Sequence, residues 1–298
     1  MQTSGQKQWS IKGLLEWTED YFVKAKVDQP RLCAELLLAQ VLGVERIDLY
    51  IKFDHCPEEG QRAEFRRLVR RCAAGEPVAY LTGKAHFYSM EFAVGPGCLI
   101  PRPETETLVA QAIDFCRHET NRPVVDVLDL CTGSGCAAIA IAANVLETEA
   151  VAVDSSPAAL AYARRNVAAH ELEGRITLLE SDLFSQVEKA GKGVFDLIVA
   201  NPPYISTDAF SRLNRTIRDY EPRDALWAGE EGLDVIRRIV AEAHRYLADE
   251  ASLMIEIAYD QSEAVMALFQ EAGYLSEITA VRDNLGHQRM VRAKREVV

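Results

Sequence analysis

The chain has 298 residues, 48% apolar and 26% charged, enough for one large or two ordinary domains, each with its own core. Its net charge of −12 is uneven: residues 1–90 hold 13 Lys+Arg against 12 Asp+Glu, leaving 20 against 33 beyond them, which argues against a nucleic-acid partner. No apolar run reaches the ~18–20 residues of a membrane span, Met1–Lys7 lacks a signal-peptide core, and no clustered His/Cys set exists to hold a metal. Seven irregularly spaced cysteines then read as reduced thiols in a cytoplasmic protein.

Residues 1–75 read as a small helical bundle. Ser10 suits an N-cap before Ile11, Leu14, Leu15, Tyr21, Phe22 and Ala25, which recur at roughly helical spacing. Pro30 suits the start of a second helix with a broad apolar face at Leu36–Leu38, Val41 and Leu42, and Pro57-Glu58-Glu59 opens a third. On that helix Arg62, Arg66, Arg67, Arg70 and Arg71 place several cations on one side; such runs are usually solvated faces rather than binding sites. A helical bundle attached to an enzyme either positions a substrate or simply packs, and the residues here leave both open.

Residues 76–106 form a connector punctuated by Pro77, Gly83, Gly95, Pro96, Gly97, Pro101 and Pro103, with short hairpin-like runs at Ala85–Tyr88 and Met90–Val94. From residue 107 to 298 the chain reads as an α/β domain. Strands at Val124–Leu130, Ala150–Val153, Ile176–Leu179, Phe195–Ala200 and Leu253–Ile257 alternate with helices ending near Leu146 and His170 and with Gly232–Leu247 and Ser262–Ala272. Two final strands fall near Leu275–Val281 and Gln288–Val291. Such alternation predicts a largely parallel sheet covered on both faces.

The first strand-to-helix turn, Cys131-Thr132-Gly133-Ser134-Gly135, is glycine-rich, which permits a tight turn and close approach of a ligand to the backbone. Asp154 closes the second strand, where an acid can accept both hydroxyls of a ribose; Asp182 and Leu183 follow the third, where they can bracket an adenine. Gly133-x-Gly135-x-x-Ala138 alone also fits a dinucleotide fingerprint. The fourth strand delivers Asn201-Pro202-Pro203-Tyr204 to the rim of the sheet. Asn201 offers a side-chain carbonyl, Pro202 a backbone carbonyl without its own N–H, and Tyr204 a flat ring. Two rigid acceptors suit a primary amide or an exocyclic amine. The arrangement favours orientation of a nucleophile over acid–base work, and hence a sulfonium methyl donor over a nicotinamide.

The chain resembles the HemK/PrmC family of S-adenosylmethionine-dependent enzymes that methylate the glutamine amide of class-1 peptide-chain release factors. The resemblance rests on Glu76–Gly83, Leu99-Ile100-Pro101-Arg102-Pro103-Glu104-Thr105-Glu106, the glycine loop, Asn201–Tyr204, Glu221-Pro222 and Asp283–Arg289. It implies a seven-stranded Rossmann-like methyltransferase sheet, preceded by a helical domain that engages the release factor. It also implies transfer from S-adenosylmethionine, leaving S-adenosylhomocysteine, to the glutamine N5 of a Gly-Gly-Gln motif. Carried over by position, Cys131–Gly135, Asp154 and Asn201 contact the donor, Leu183 lies against its adenine, and Asn201 to Tyr204 hold the glutamine. Leu183 stands where the family often has an aromatic residue, and His287-Gln288 departs from the usual tail. The neighbouring readings are a glutamine methyltransferase of a ribosomal protein and an adenine-N6 methyltransferase, since Asn-Pro-Pro-Tyr alone is shared with amino-methyltransferases.

Overall fold

The Ser10 hydroxyl accepts from the Gly13 N–H at 3.3 Å and caps α1 (Ile11–Lys24), as its place before the apolar periodicity suggests. The computed structural model describes residues 9–296, so the Met1–Lys7 reading lies outside the described residues. The chain falls into two units: Met1–Gly83 with Arg215–Tyr220, and Lys84–Asn214 with Glu221–Val298.

In the first unit α1 is followed by α2 (Pro30–Leu42), which starts on its proline and ends at Gly43 in the left-handed region. A short helix not anticipated from the sequence, α3 (Arg46–Ile51), begins at a reciprocal Glu45/Asp48 capping box. The arginine-rich helix α4 (Glu59–Ala73) opens on a second box between Glu58 and Gln61. Another single-turn helix, α5 (Val78–Thr82), replaces the first part of the expected connector. Leu15, Phe22, Leu37, Leu38, Leu49 and Phe65 form this unit's core, each at most 2% exposed.

The second unit opens with a hairpin, β1 (Lys84–Phe87) and β2 (Met90–Ala93), at the two runs expected to form one. Then come α6 (Glu106–Asp114), β3 (Val125–Leu130), α7 (Cys136–Asn144), β4 (Thr148–Asp154), α8 (Pro157–Ala169), β5 (Ile176–Glu180), β6 (Phe195–Ala200) and α9 (Thr207–Arg212). The single turn α10 (Arg215–Arg218) belongs with the first unit. The chain closes with α11 (Asp234–Glu242), β7 (Leu247–Glu256), α12 (Ser262–Glu271), β8 (Leu275–Arg282) and β9 (Gln288–Arg295).

Seven strands form one sheet in the order β5-β4-β3-β6-β7-β9-β8, parallel from β5 to β7 with β9 antiparallel to both its neighbours. Period-two alternation divides its side chains between two cores. Val125, Val127, Leu197 and Val199 face one side, while Leu128, Leu130, Ile198 and Ala200 face the other. The strand order reverses between β3 and β6, so the chain leaves these strands in opposite directions and opens a crevice at their carboxyl ends.

Candidate active site

At the end of β3 the chain turns through Cys131, Gly133 and Gly135, all with positive φ. Two carboxylates brace the turn. Asp129 is 1% exposed, and its Oδ2 accepts from the Thr132 hydroxyl at 2.5 Å and the Ala138 N–H at 3.2 Å, capping α7 from the strand. Burial pushes its carboxyl up to about 7, against the pull of those two donors. Asp154 accepts from the Gly133 N–H and the Ser156 N–H, each at 2.8 Å; burial raises it and the Ser156 and Gly133 amides oppose the shift. Asn166, buried in α8, donates to the Ser134 carbonyl at 2.8 Å and exchanges hydrogen bonds with the Ala93 backbone, so it ties the glycine loop to β2.

The two glycines of the loop differ in kind. A Cβ on Gly135 would meet Ile139 Cδ1 at 3.2 Å and Ala163 Cβ at 3.4 Å, whereas one on Gly133 would meet nothing within 4 Å. Gly135 therefore allows helix packing, and Gly133 borders open space. After β5, Ser181 accepts from the Gln186 N–H and donates to the Leu183 carbonyl at 2.6 Å, holding Leu183 at φ 49. The Asp182 carboxylate accepts from Arg238 Nη2 at 2.9 Å.

These strand ends enclose a cavity of about 520 Å³. Of the residues singled out in the sequence, Cys131, Thr132, Gly133, Ser134, Asp154, Asp182, Leu183, Asn201 and Pro203 line it, while Gly135, Pro202 and Tyr204 do not. Ser134 Oγ, in a side chain 2% exposed, has no hydrogen-bond partner among the described residues. The loop thus presents an open backbone face at Gly133 to the cavity, while the Ser134 hydroxyl is itself buried.

Asn201 donates through Nδ2 to Thr105 Oγ1 at 3.0 Å. No hydrogen bond is made to its Oδ1 or to the Pro202 carbonyl among the described residues. Tyr204 turns the other way, its hydroxyl donating to Glu256 Oε1 at 3.2 Å. Glu256 is 1% exposed and is pushed up to about 7 by burial, while the Thr105 and Tyr204 hydroxyls favour its charged form. Its Oε2 makes no hydrogen bond among the described residues. Burial also raises the Tyr204 phenol, with Glu256 adding to the shift.

Thr105, Glu256 and Asn166 were not singled out from the sequence. Only Glu256 carries a signal there, an acid embedded in the apolar run Leu253–Ala258; Thr105 and Asn166 sit among charged neighbours and carry none. Segment 99–106 is held in place from elsewhere in the unit. Buried Glu221 pairs with Arg102 and accepts from the Ile100 N–H at 3.1 Å, and Glu106 accepts from the Tyr88 N–H at 2.8 Å, fastening α6 to the hairpin. The Glu221-Pro222 motif thereby acquires a structural task. Among the described residues no group of three or more His, Cys, Asp or Glu could hold a metal ion, and no helix is long and apolar enough to cross a membrane.

Known proteins place this geometry in context. The family model of the PrmC N-terminal domain matches residues 13–83, and that of the methyltransferase small domain matches residues 115–217. A release factor glutamine methyltransferase of Rhodopirellula baltica is 43% identical, over 97% of this chain and 98% of that protein. Another, of Geobacter sulfurreducens, is 40% identical over 95% and 96%. Among solved structures, a methyltransferase from Pyrococcus furiosus shares the fold at 16% identity and a TM-score of 0.50, covering 76% of this chain and 98% of that one. Identity of this extent over nearly the whole length, on a sheet that carries both the glycine loop and Asn201–Tyr204, makes the chain a member of the release factor glutamine methyltransferase family.

Proposed function

We propose that this protein methylates the side-chain amide nitrogen, N5, of the glutamine in the Gly-Gly-Gln motif of class-1 peptide-chain release factors. The observation that carries the reading is the polarity of Asn201. Its donor side is committed to Thr105, so its carbonyl and that of Pro202 remain as two acceptors without competitors. A glutamine amide has two N–H groups to give, and the pair can take one each.

S-adenosylmethionine supplies, when bound, a methyl group made electrophilic by its sulfonium. The residues that would hold it are Asp154 beneath the ribose, the Cys131–Gly135 loop along its amino-acid part, and Leu183 with Asp182 beside the adenine. The fit rests on the open face at Gly133 and on the Asp154 carboxylate in the cavity wall. An amide nitrogen is a weak nucleophile because its lone pair is delocalised into the carbonyl. Asn201 and Pro202 hold the amide plane and turn the nitrogen toward the donor, so catalysis is chiefly orientation. The amide gives up one N–H proton as the new C–N bond forms. Pro203, in the cavity wall beside Asn201, helps exclude water from these hydrogen bonds, which strengthens them. The helical unit is read as the part that engages the protein substrate, and the release factor places the reaction in the cytoplasm.

Methyl transfer from labelled S-adenosylmethionine to a purified release factor tests this. Label on the release factor, and none on a variant with the motif glutamine changed to alanine or on duplex DNA, is the expected result. Label on DNA, or on the alanine variant, would overturn it.

A further inference from the structure

A cavity of about 660 Å³ lies in the helical unit between α1 and α4, and nothing in the methyl-transfer chemistry uses it. One wall is Trp17 stacked on Tyr21, with ring centroids 5.3 Å apart and planes within 10°. Trp17 is 48% exposed, a large aromatic surface left beside a cleft. The other wall is α4, whose five arginines are divided by helical periodicity. Arg67 pairs with Glu64 at 2.7 Å and Arg71 pairs with Glu76, neither arginine lining the cavity. Arg62, Arg66 and Arg70, spaced by four, all line it. Arg62 is paired with Glu59, but Arg66 and Arg70 have no carboxylate partner among the described residues. At the floor, Thr18 is fully buried and its Oγ1 has no hydrogen-bond partner among the described residues; neither does the buried Nε of Arg62. Both atoms are closed off from solvent, so the groups the cleft offers to a ligand are the exposed Arg66 and Arg70 guanidiniums and the face of Trp17.

We propose that this cleft docks an acidic segment of the protein substrate, outside the loop that carries the reacting glutamine. Carboxylates of the segment bridge Arg66 and Arg70, and an aromatic or branched apolar side chain packs against Trp17 and Tyr21. The inference rests on the methyltransferase reading above and names how the substrate is gripped. A nucleic-acid strand fits less well. Two uncompensated guanidinium groups beside Glu59, in a part of the chain whose charge is nearly balanced, make no continuous track for phosphates.

The test compares the full-length enzyme with R66E/R70E and W17A, using labelled S-adenosylmethionine and two substrates: an intact release factor and a short peptide spanning its Gly-Gly-Gln loop. KM for the intact factor should rise by about 10-fold or more in each variant, as for loss of a buried aromatic or charged anchor. Expected alongside are an unchanged kcat and donor KM, unchanged kinetics on the short peptide, and partial recovery in R66K/R70K. Unchanged KM for the intact factor, or equal losses on protein and peptide, would overturn the proposal.

If the wild type methylates no release factor, the functional reading fails. The cleft is then judged separately, by anisotropy of a fluorescein-labelled Asp/Glu peptide containing one phenylalanine. Binding weakened in R66E/R70E upholds the cleft, and equal binding to both proteins refutes it. Two further outcomes would reassign it. A single-stranded oligonucleotide bound by the wild type and lost in R66E/R70E would indicate nucleic acid. A dimer in light scattering that the double variant abolishes would indicate a second copy of this chain.

Discussion

Asn201 and Thr105 lie 96 positions apart in the chain, yet the Asn201 Nδ2 donates to the Thr105 Oγ1 at 3.0 Å and so fixes which end of the asparagine amide faces the cavity. A threonine hydroxyl can donate or accept, so this contact alone would allow either orientation. Glu256 breaks the symmetry. The Thr105 hydroxyl favours the charged form of Glu256, which inclines its proton toward that carboxylate and its lone pair toward Asn201. The same carboxylate accepts from Tyr204, so one buried acid aligns both ends of the Asn-Pro-Pro-Tyr segment.

Removing the Thr105 hydroxyl should therefore uncouple the asparagine without disturbing the donor. We predict that Thr105→Val lowers kcat by about 10-fold or more, with little change in the affinity for S-adenosylmethionine, and that Thr105→Ser restores most of the rate. Steady-state kinetics with calorimetric donor binding would check this. A loss confined to donor binding would contradict it.

Glu256 should impose a pH dependence of opposite sign on stability and on rate. In the unfolded chain its carboxyl ionises near the ordinary value, 4.5, whereas in the fold burial holds it at about 7. Between those values the folded state keeps a proton that the unfolded state has released, so stability falls as pH rises through that window. Asp129, also held at about 7, adds to the same slope. The Thr105 and Tyr204 hydroxyls both favour the ionised form of Glu256, so kcat should rise as pH passes about 7. Glu104 pushes this transition up and Arg289 pulls it down. Glu256→Gln, which reverses the polarity of the network, should reduce kcat, remove that limb of the pH–rate profile, and flatten the fall of Tm with pH. A pH–rate profile and pH-dependent melting check the three together.

The two glycines of the Cys131–Gly135 loop should fail in different ways. Gly135→Ala forces a Cβ at φ +80 to within 3.2 Å of Ile139, and should cost about 1–2 kcal/mol of stability. Gly133→Ala meets no neighbour, so beyond some strain at φ +57 its main effect should be weaker donor binding. Chemical denaturation and donor titration on the same two proteins separate these outcomes.

Asp154 braces the turn and, on the proposed reading, also holds the donor. Asp154→Ala frees the Gly133 and Ser156 amides and removes an acceptor from the cavity wall, and should raise the donor Kd by about 10-fold or more. Isothermal titration calorimetry checks it.

What was legible in the sequence was mostly local. Ser10 before its helix, the apolar run of β3 and the glycine turn after it carry their signals within a few residues, and the structure places each as read. The sheet appeared because its strands are apolar on both faces. The short helices α3 and α5 escaped because a single turn has too few apolar positions to show a period. The Asn201–Tyr204 segment was readable, but its support was not. Thr105 and Glu256 acquire meaning only when folding brings α6 and β7 to Asn201 and Tyr204, and a hydroxyl or carboxyl in isolation carries no trace of that partner. The division of the α4 arginines was hidden likewise, because it depends on which side of the helix meets α1.

The central claim is that Asn201 orients the substrate amide. It is tested most directly by the single-turnover rate of Asn201→Ala on a release factor at saturating S-adenosylmethionine. The account predicts a loss of about 2–4 kcal/mol of transition-state stabilisation, roughly 10²–10³-fold in rate, as for removal of one preorganised polar contact. A rate close to that of the unaltered enzyme, with the donor fully bound, would contradict it.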